Sequence, residues 1–215
     1  MYTKHQWKSD VYQNFQYVIN LPKDYDPKKT YPLVFFLHGA GERGDDLDVA
    51  MAHGFMKHVR ESGKEYPFLF AAPQCPFNKY WGCYTESLLA FLDFICEEYP
   101  VDRSRIYLTG LSMGGTGTWM LAMAAPERFA ALAPVCGSGI YWYGEAVKDI
   151  PIYMVHGDCD TIVPLSESIA MLNSVNKRGG HAELKICYGL GHNAWDVAYA
   201  GDELTAWFLQ HKKTV

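Results

Sequence analysis

Between a short apolar run at residues 105–109 and a stretch that reads as a helix at residues 113–125 lies Gly110-Leu111-Ser112-Met113-Gly114-Gly115. No other feature of the chain constrains its fold as tightly. A serine in so sharp a strand-to-helix turn has a strained backbone, and the positions two residues to either side have no room for side chains. Gly110 and Gly114 meet that demand. The pattern is that of a nucleophile elbow, which requires a strand before it and a helix after it, and this sequence supplies both. The Ser112 hydroxyl is then expected to stand clear of a sheet at the positive end of a helix. There it lies beside the backbone N–H of Met113, where a developing oxyanion can be held.

A serine hydroxyl is a weak nucleophile at neutral pH, so the elbow requires a base and a group to orient it, in the chain order serine, acid, histidine. Of the eight histidines, His181, His192 and His211 follow a plausible acid. His192 sits just past an expected strand at residues 183–188, between Gly189, Gly191 and Asn193, in a loop that can project an imidazole toward a neighbouring strand end. His181 precedes that strand and would emerge at the wrong edge, and His211 lies in a polar tail. The apolar run at residues 150–155 reads as a buried parallel strand that empties into His156-Gly157-Asp158-Cys159-Asp160. Asp158 lies close to the strand and can be absorbed in a local turn. Asp160, farther along the loop, has more reach toward His192 and is favoured as the orienting acid, with Asp158 as the fallback.

A second glycine-rich loop, His38-Gly39-Ala40-Gly41-Glu42-Arg43-Gly44, follows the apolar run at residues 33–37. Its position suits a second oxyanion donor, and the backbone N–H of Ala40 is the candidate partner of Met113. Glu42, Arg43, Asp45 and Asp46 read as a solvated or ion-paired loop, with no metal site expected.

The loops at 38–44, 110–115 and 156–164, with Gly191-His192, resemble the α/β-hydrolase superfamily. They are most similar to its small esterases: the phospholipase/carboxylesterase, polyhydroxybutyrate-depolymerase-like and "predicted peptidase" groups. Ala72-Pro73-Gln74-Cys75-Pro76, residues 101–107 and Ala133-Pro134-Val135-Cys136-Gly137 extend the resemblance, which runs from about Tyr31 to Leu209. It implies an α/β-hydrolase fold, with Ser112 as nucleophile, Asp160 as orienting acid and His192 as base. The implied activity is a serine carboxylic-ester hydrolase that works through an acyl-enzyme and needs no cofactor, with a serine peptidase of the prolyl-oligopeptidase-like type or a non-catalytic binding protein of the same fold as the alternatives.

The order of the apolar runs agrees. Strands are expected at 15–21, 33–37, 68–72, 105–109, 131–136, 152–156 and 183–188, and helices at 85–98, 113–125, 165–177 and 196–211. Such alternation argues for an α/β fold, a mostly parallel sheet with helices on both faces. At 215 residues and 49% hydrophobic content, one domain covering 1–215 is expected. Only a short aromatic segment, residues 139–144, stands where a lid could be inserted, so no large lid domain is expected and the cleft should be open. Gln74, Trp81, Trp142 and Trp195 are the candidate substrate-binding side chains, the tryptophans as stacking platforms for a sugar or an aromatic acyl group. The expected substrate is therefore a small-molecule or carbohydrate-linked ester, with short-chain, acetyl or feruloyl groups in view.

Other classes are disfavoured. The formal net charge of −5 and the lack of a Lys/Arg cluster give no basis for nucleic-acid binding. No apolar stretch approaches the roughly 20 residues of a membrane span. No apolar leader segment is evident at the N-terminus, so a cytoplasmic location and six reduced cysteines are the expectation. Nothing in the sequence sets an oligomeric state.

Overall fold

The computed structural model describes residues 2–213. Eight strands form one sheet: β1 (Tyr2–Trp7), β2 (Phe15–Asn20), β3 (Tyr31–Leu37), β4 (Leu69–Pro73), β5 (Val101–Leu111), β6 (Ala131–Val135), β7 (Ile152–Gly157) and β8 (Ala182–Cys187). Their spatial order is β1-β2-β4-β3-β5-β6-β7-β8. β1 and β2 pair antiparallel, as do β2 and β4, and from β4 to β8 every pairing is parallel. The central strand β3 shows why both faces must be covered. Leu33, Phe35 and Leu37 enter one core while Val34 and Phe36 enter the other, the alternation of a pleated strand with no wet face.

The helices divide between those two cores. On the first face lie α3 (Thr85–Glu98), α4 (Met113–Ala124) and α5 (Leu165–Lys177), which contribute Leu88, Phe91, Leu92, Ile95, Trp119, Leu121, Met171 and Val175. On the second lie the shorter α1 (Leu47–Ala50), α2 (Gly54–Glu61), α6 (Trp195–Ala200) and α7 (Glu203–Leu209), contributing Leu47, Phe55, Tyr199, Leu204 and Phe208. Among the described residues no helix is long and apolar enough to cross a membrane.

Three features depart from the sequence reading. β1 is an added edge strand with four consecutive exposed residues, Thr3 to Gln6, and it is held by its pairing with β2. A strand without an apolar face leaves no period-two signal. α1 and α2 occupy a stretch with no assigned element, and helices this short depend on tertiary packing. The expected helix at 196–211 is two helices, because Gly201 is extended (φ −107°, ψ −175°) and breaks it. After proline, glycine is the weakest helix former, so little is lost in taking it out of the helix.

Between β6 and β7 stands one 3₁₀ turn, Tyr141–Val147, and no inserted lid domain. All six cysteines are free thiols.

Candidate active site

The carboxyl ends of the parallel strands converge on Ser112. It links β5 to α4 at φ 53°, ψ −116°, a left-handed conformation rare for a residue with a side chain. The surroundings hold it there: the Ser112 N–H donates to Val135 O at 2.9 Å, and Ser112 O accepts the Thr116 N–H at 3.0 Å. Neither flanking glycine can be replaced without moving backbone. A Cβ at Gly110 would come within 2.6 Å of Leu37 O, and one at Gly114 would overlap that same oxygen.

The three loops predicted to meet do meet. Ser112 Oγ lies 2.8 Å from His192 Nε2, and His192 Nδ1 lies 2.7 Å from Asp160 Oδ2. The His192 side chain is 18% exposed and that of Asp160 fully buried. A buried carboxylate needs donors, and Asp160 has them: the N–H groups of Ile162 and Val163 each donate to Oδ1 at 2.9 Å. Burial pushes the Asp160 carboxyl up, but the His192 bond and the Val163 and Ile162 N–H groups outweigh it and leave the pKa below the usual carboxylate value. Asp158 takes the other path open to it. Its Oδ1 accepts the Gly189 N–H at 2.6 Å, closing the turn that carries the His192 loop.

His156 is a supporting residue that the sequence reading passed over. Its fully buried ring sets Nε2 at 3.2 Å from Asp160 Oδ2 and 2.8 Å from Val163 O, with Nδ1 at 2.7 Å from Ser168 Oγ. Its place at the end of the apolar strand β7 was the available signal, since a histidine buried there must find partners.

The loop after β3 brings backbone, not side chains, to the serine. A Cβ built on Gly39 would lie 3.6 Å from Ser112 Cβ, so the Gly39–Ala40 segment passes directly beside the nucleophile position. Ala40 opens a 3₁₀ helix (Ala40–Glu42) and Met113 opens α4. First-turn N–H groups have no partner within their own helix, and neither of these two donates to any acceptor among the described residues. The buried His38 ring anchors the loop: Nε2 accepts the Cys75 N–H at 2.9 Å, and Nδ1 lies 2.7 Å from Gly39 O. Burial drives the His38 pKa down to about 4, against a smaller upward effect from the Gly39 carbonyl, so the ring is neutral at pH 7.

Two of the proposed substrate-binding side chains prove to be anchors of this loop. Trp81 is 1% exposed, and its indole N–H donates to His38 O at 2.9 Å. Gln74 is buried, and its Nε2 donates to Glu42 O at 3.0 Å and Asp46 O at 2.8 Å. An aromatic or amide group serves a rim and a core equally well, so residue type alone misassigned both. Trp142 is exposed but lies in a groove with Met120, Met123 and Ala124. Those residues are two to three turns along α4 from Ser112, roughly 12–18 Å, too far for the reacting carbonyl. Trp195 alone of the four stands at the site, its ring edge-on to His192 with centroids 5.0 Å apart. In the acidic loop Asp45 and Asp46 are exposed, as expected, whereas Glu42 is buried and paired with His53.

Among the described residues, Cys136, Asp160 and His192 are close enough to share a metal ion, their ligand atoms lying within 4.8 Å of one another. The chemistry is unfavourable: burial pushes the Cys136 thiol up to about 12, and Asp160 and His192 are already bonded to each other. The thiol instead donates a weak hydrogen bond to Val155 O at 3.8 Å.

The Esterase family model ("Putative esterase") matches residues 10–183. Feruloyl esterase C of Emericella nidulans is 28% identical over 170 residues, covering 77% of this chain and 62% of its own. A crystal structure described as a thermostable esterase superimposes with a TM-score of 0.85 at 33% identity, covering 99% of this chain and 63% of that one. A ferulic acid esterase superimposes with a TM-score of 0.77 at 19% identity, covering 97% and 96% of the two chains. The chain thus has the α/β-hydrolase fold, and it spans about three fifths of the length of the curated relatives it matches.

Proposed function

The chain belongs to the Esterase family, and on that premise we propose that it is a serine carboxylic-ester hydrolase acting on carbohydrate-linked esters, feruloyl esters foremost. The observation that carries the reading is the unbroken line Ser112 Oγ–His192 Nε2, His192 Nδ1–Asp160 Oδ2, at 2.8 and 2.7 Å. The substrate class is supported by the feruloyl esterase named among its relatives.

In the proposed cycle His192 Nε2 takes the Ser112 proton as Oγ attacks the ester carbonyl carbon. The N–H groups of Ala40 and Met113 receive the negative charge that develops on the carbonyl oxygen. The tetrahedral centre collapses, the C–O bond to the alcohol breaks, and the imidazolium gives its proton to the departing oxygen. Water then repeats the sequence on the acyl-enzyme: His192 takes one proton from it, the hydroxide oxygen adds to the carbonyl, and Ser112 leaves with that proton restored. Asp160 holds the ring in the tautomer with Nδ1–H and stabilises the imidazolium. Every proton in the cycle is exchanged among Ser112, His192, the alcohol and water.

A panel of methyl ferulate, a feruloylated sugar, an acetylated sugar and a peptide anilide tests the assignment. Ester turnover well above anilide turnover is expected. Anilide cleavage as fast as ester cleavage would overturn it in favour of peptidase chemistry.

A further inference from the structure

Beyond the Ser112 line, the site carries a second histidine–carboxylate pair with no part in the cycle. Glu42, in the loop after β3, has a side chain only 7% exposed, and its Oε1 lies 2.8 Å from His53 Nδ1. The other oxygen, Oε2, is buried without a hydrogen-bond partner, 2.9 Å from where a Cβ would stand on Gly39. A carboxylate buried with one oxygen unpaired is costly, and such a group in a native structure asks for a purpose.

His53 precedes α2 and is half exposed, in contrast to its partner. Its ring faces Trp195 at 6.4 Å between centroids, and Trp195 in turn meets His192 at 5.0 Å. Two imidazoles, each held at Nδ1 by a buried carboxylate, thus flank one indole.

The chemistry decides which half of the ester this flank faces. His192 must protonate the departing oxygen, so the alcohol lies beside the His192 ring, which Trp195 meets edge-on. Holding Nδ1–H on Glu42 leaves His53 Nε2 as a free acceptor. Among the described residues the ring's hydrogen bond is the one through Nδ1 to Glu42. We infer that His53, oriented by Glu42, is a specificity-determining residue for the alcohol half of the substrate, accepting at Nε2 a hydrogen bond from a hydroxyl of a carbohydrate alcohol. Trp195 supplies the apolar face against which the sugar ring packs. The inference rests on the esterase reading above and adds to it which side of the site reads the sugar.

The test is the ratio of kcat/KM for feruloylated arabinose to that for methyl ferulate. Both esters are cleaved by the same enzyme sample, so the folded fraction cancels and a merely structural role leaves the ratio unmoved. His53→Phe keeps a ring beside Trp195 and removes the acceptor, whereas His53→Gln keeps an acceptor. The ratio should fall roughly three- to tenfold in His53→Phe, the worth of one hydrogen bond, and less in His53→Gln. An unchanged ratio in His53→Phe, with methyl ferulate still cleaved, overturns the inference and leaves the esterase assignment standing. A wild-type enzyme inert on both esters overturns the assignment and the inference with it.

Discussion

Ser112 is approached from opposite sides of β5, by the loop after β3 on one side and by the loops after β7 and β8 on the other, and the two sides are built on different principles. On the β7 side the site is made of side chains, Asp160 from the loop after β7 lying 2.7 Å from His192 of the loop after β8, and His192 2.8 Å from Ser112. On the β3 side the loop presents the Gly39–Ala40 backbone, with the side chains of His38 and Glu42 buried and Gln74, from the loop after β4, donating to its carbonyls. A side chain carries its chemistry with it and needs orienting. A backbone donor has no identity of its own, so its position must be fixed by buried polar groups elsewhere.

The contrast is sharpest at the two aspartates of the β7 loop, two residues apart. Asp160→Asn should reduce kcat/KM by about 10⁴, because the amide favours the wrong imidazole tautomer. Asp158→Asn, which alters one turn hydrogen bond, should stay within about tenfold. Parallel steady-state kinetics on the two variants check this, and equal losses would erase the distinction.

On the other loop the matching experiment removes a donor and nothing else. Ala40 opens its 3₁₀ helix after an extended Gly39 (φ −78°, ψ −177°) and is exposed, a setting that accepts proline. Ala40→Pro should therefore fold normally and lower kcat by about 10²–10³ with little change in KM. A full-rate variant would remove Ala40 from the oxyanion hole.

The anchors of the β3 loop should register in stability. His38 titrates at about 4 when folded and near 6.5 when unfolded, so the unfolded chain takes up the proton first. Its contribution is complete above about pH 6.5 and declines by up to roughly 3 kcal/mol as the pH falls toward 4. Burial also holds His58 and His211 low, adding to the same slope. Asp160, whose pKa is depressed, loses its contribution only below about pH 4. Denaturant titrations between pH 7 and 4.5 should show the decline, and His38→Gln should flatten its own share. The smallest effect is expected for Gln74→Leu, which leaves two loop carbonyls without their donor. It should destabilise by about 1–3 kcal/mol, read as a lowered midpoint of thermal unfolding.

The same contrast explains what could be read from the chain alone. Ser112 declares itself because it ends an apolar run and because the glycines at 110 and 114 are required by backbone oxygens, not by taste for flexibility, whereas His192 was legible from its strand-end loop and Asp160 only as the favoured one of two aspartates. α3 and α5 were legible end to end, since a long amphipathic stretch specifies itself locally. β1, α1 and α2 were not, because their stability comes from partners distant in sequence. Trp81 and Gln74 were misread for a related reason. Their polar atoms bond to carbonyls 43 and 28–32 residues away, and no local pattern reports such a bond. His53 and Glu42, 11 residues apart, become a pair only once α2 is folded against the β3 loop.

The claim on which the account depends is that His192 and Asp160 make the Ser112 hydroxyl nucleophilic. Treating the wild-type protein with a fluorophosphonate and mapping the adduct by peptide mass spectrometry tests it directly. The account predicts a single adduct on Ser112, absent in Ser112→Ala and formed far more slowly in Asp160→Asn. No adduct under conditions where the protein is folded, or an adduct on another residue that survives Ser112→Ala, would contradict it.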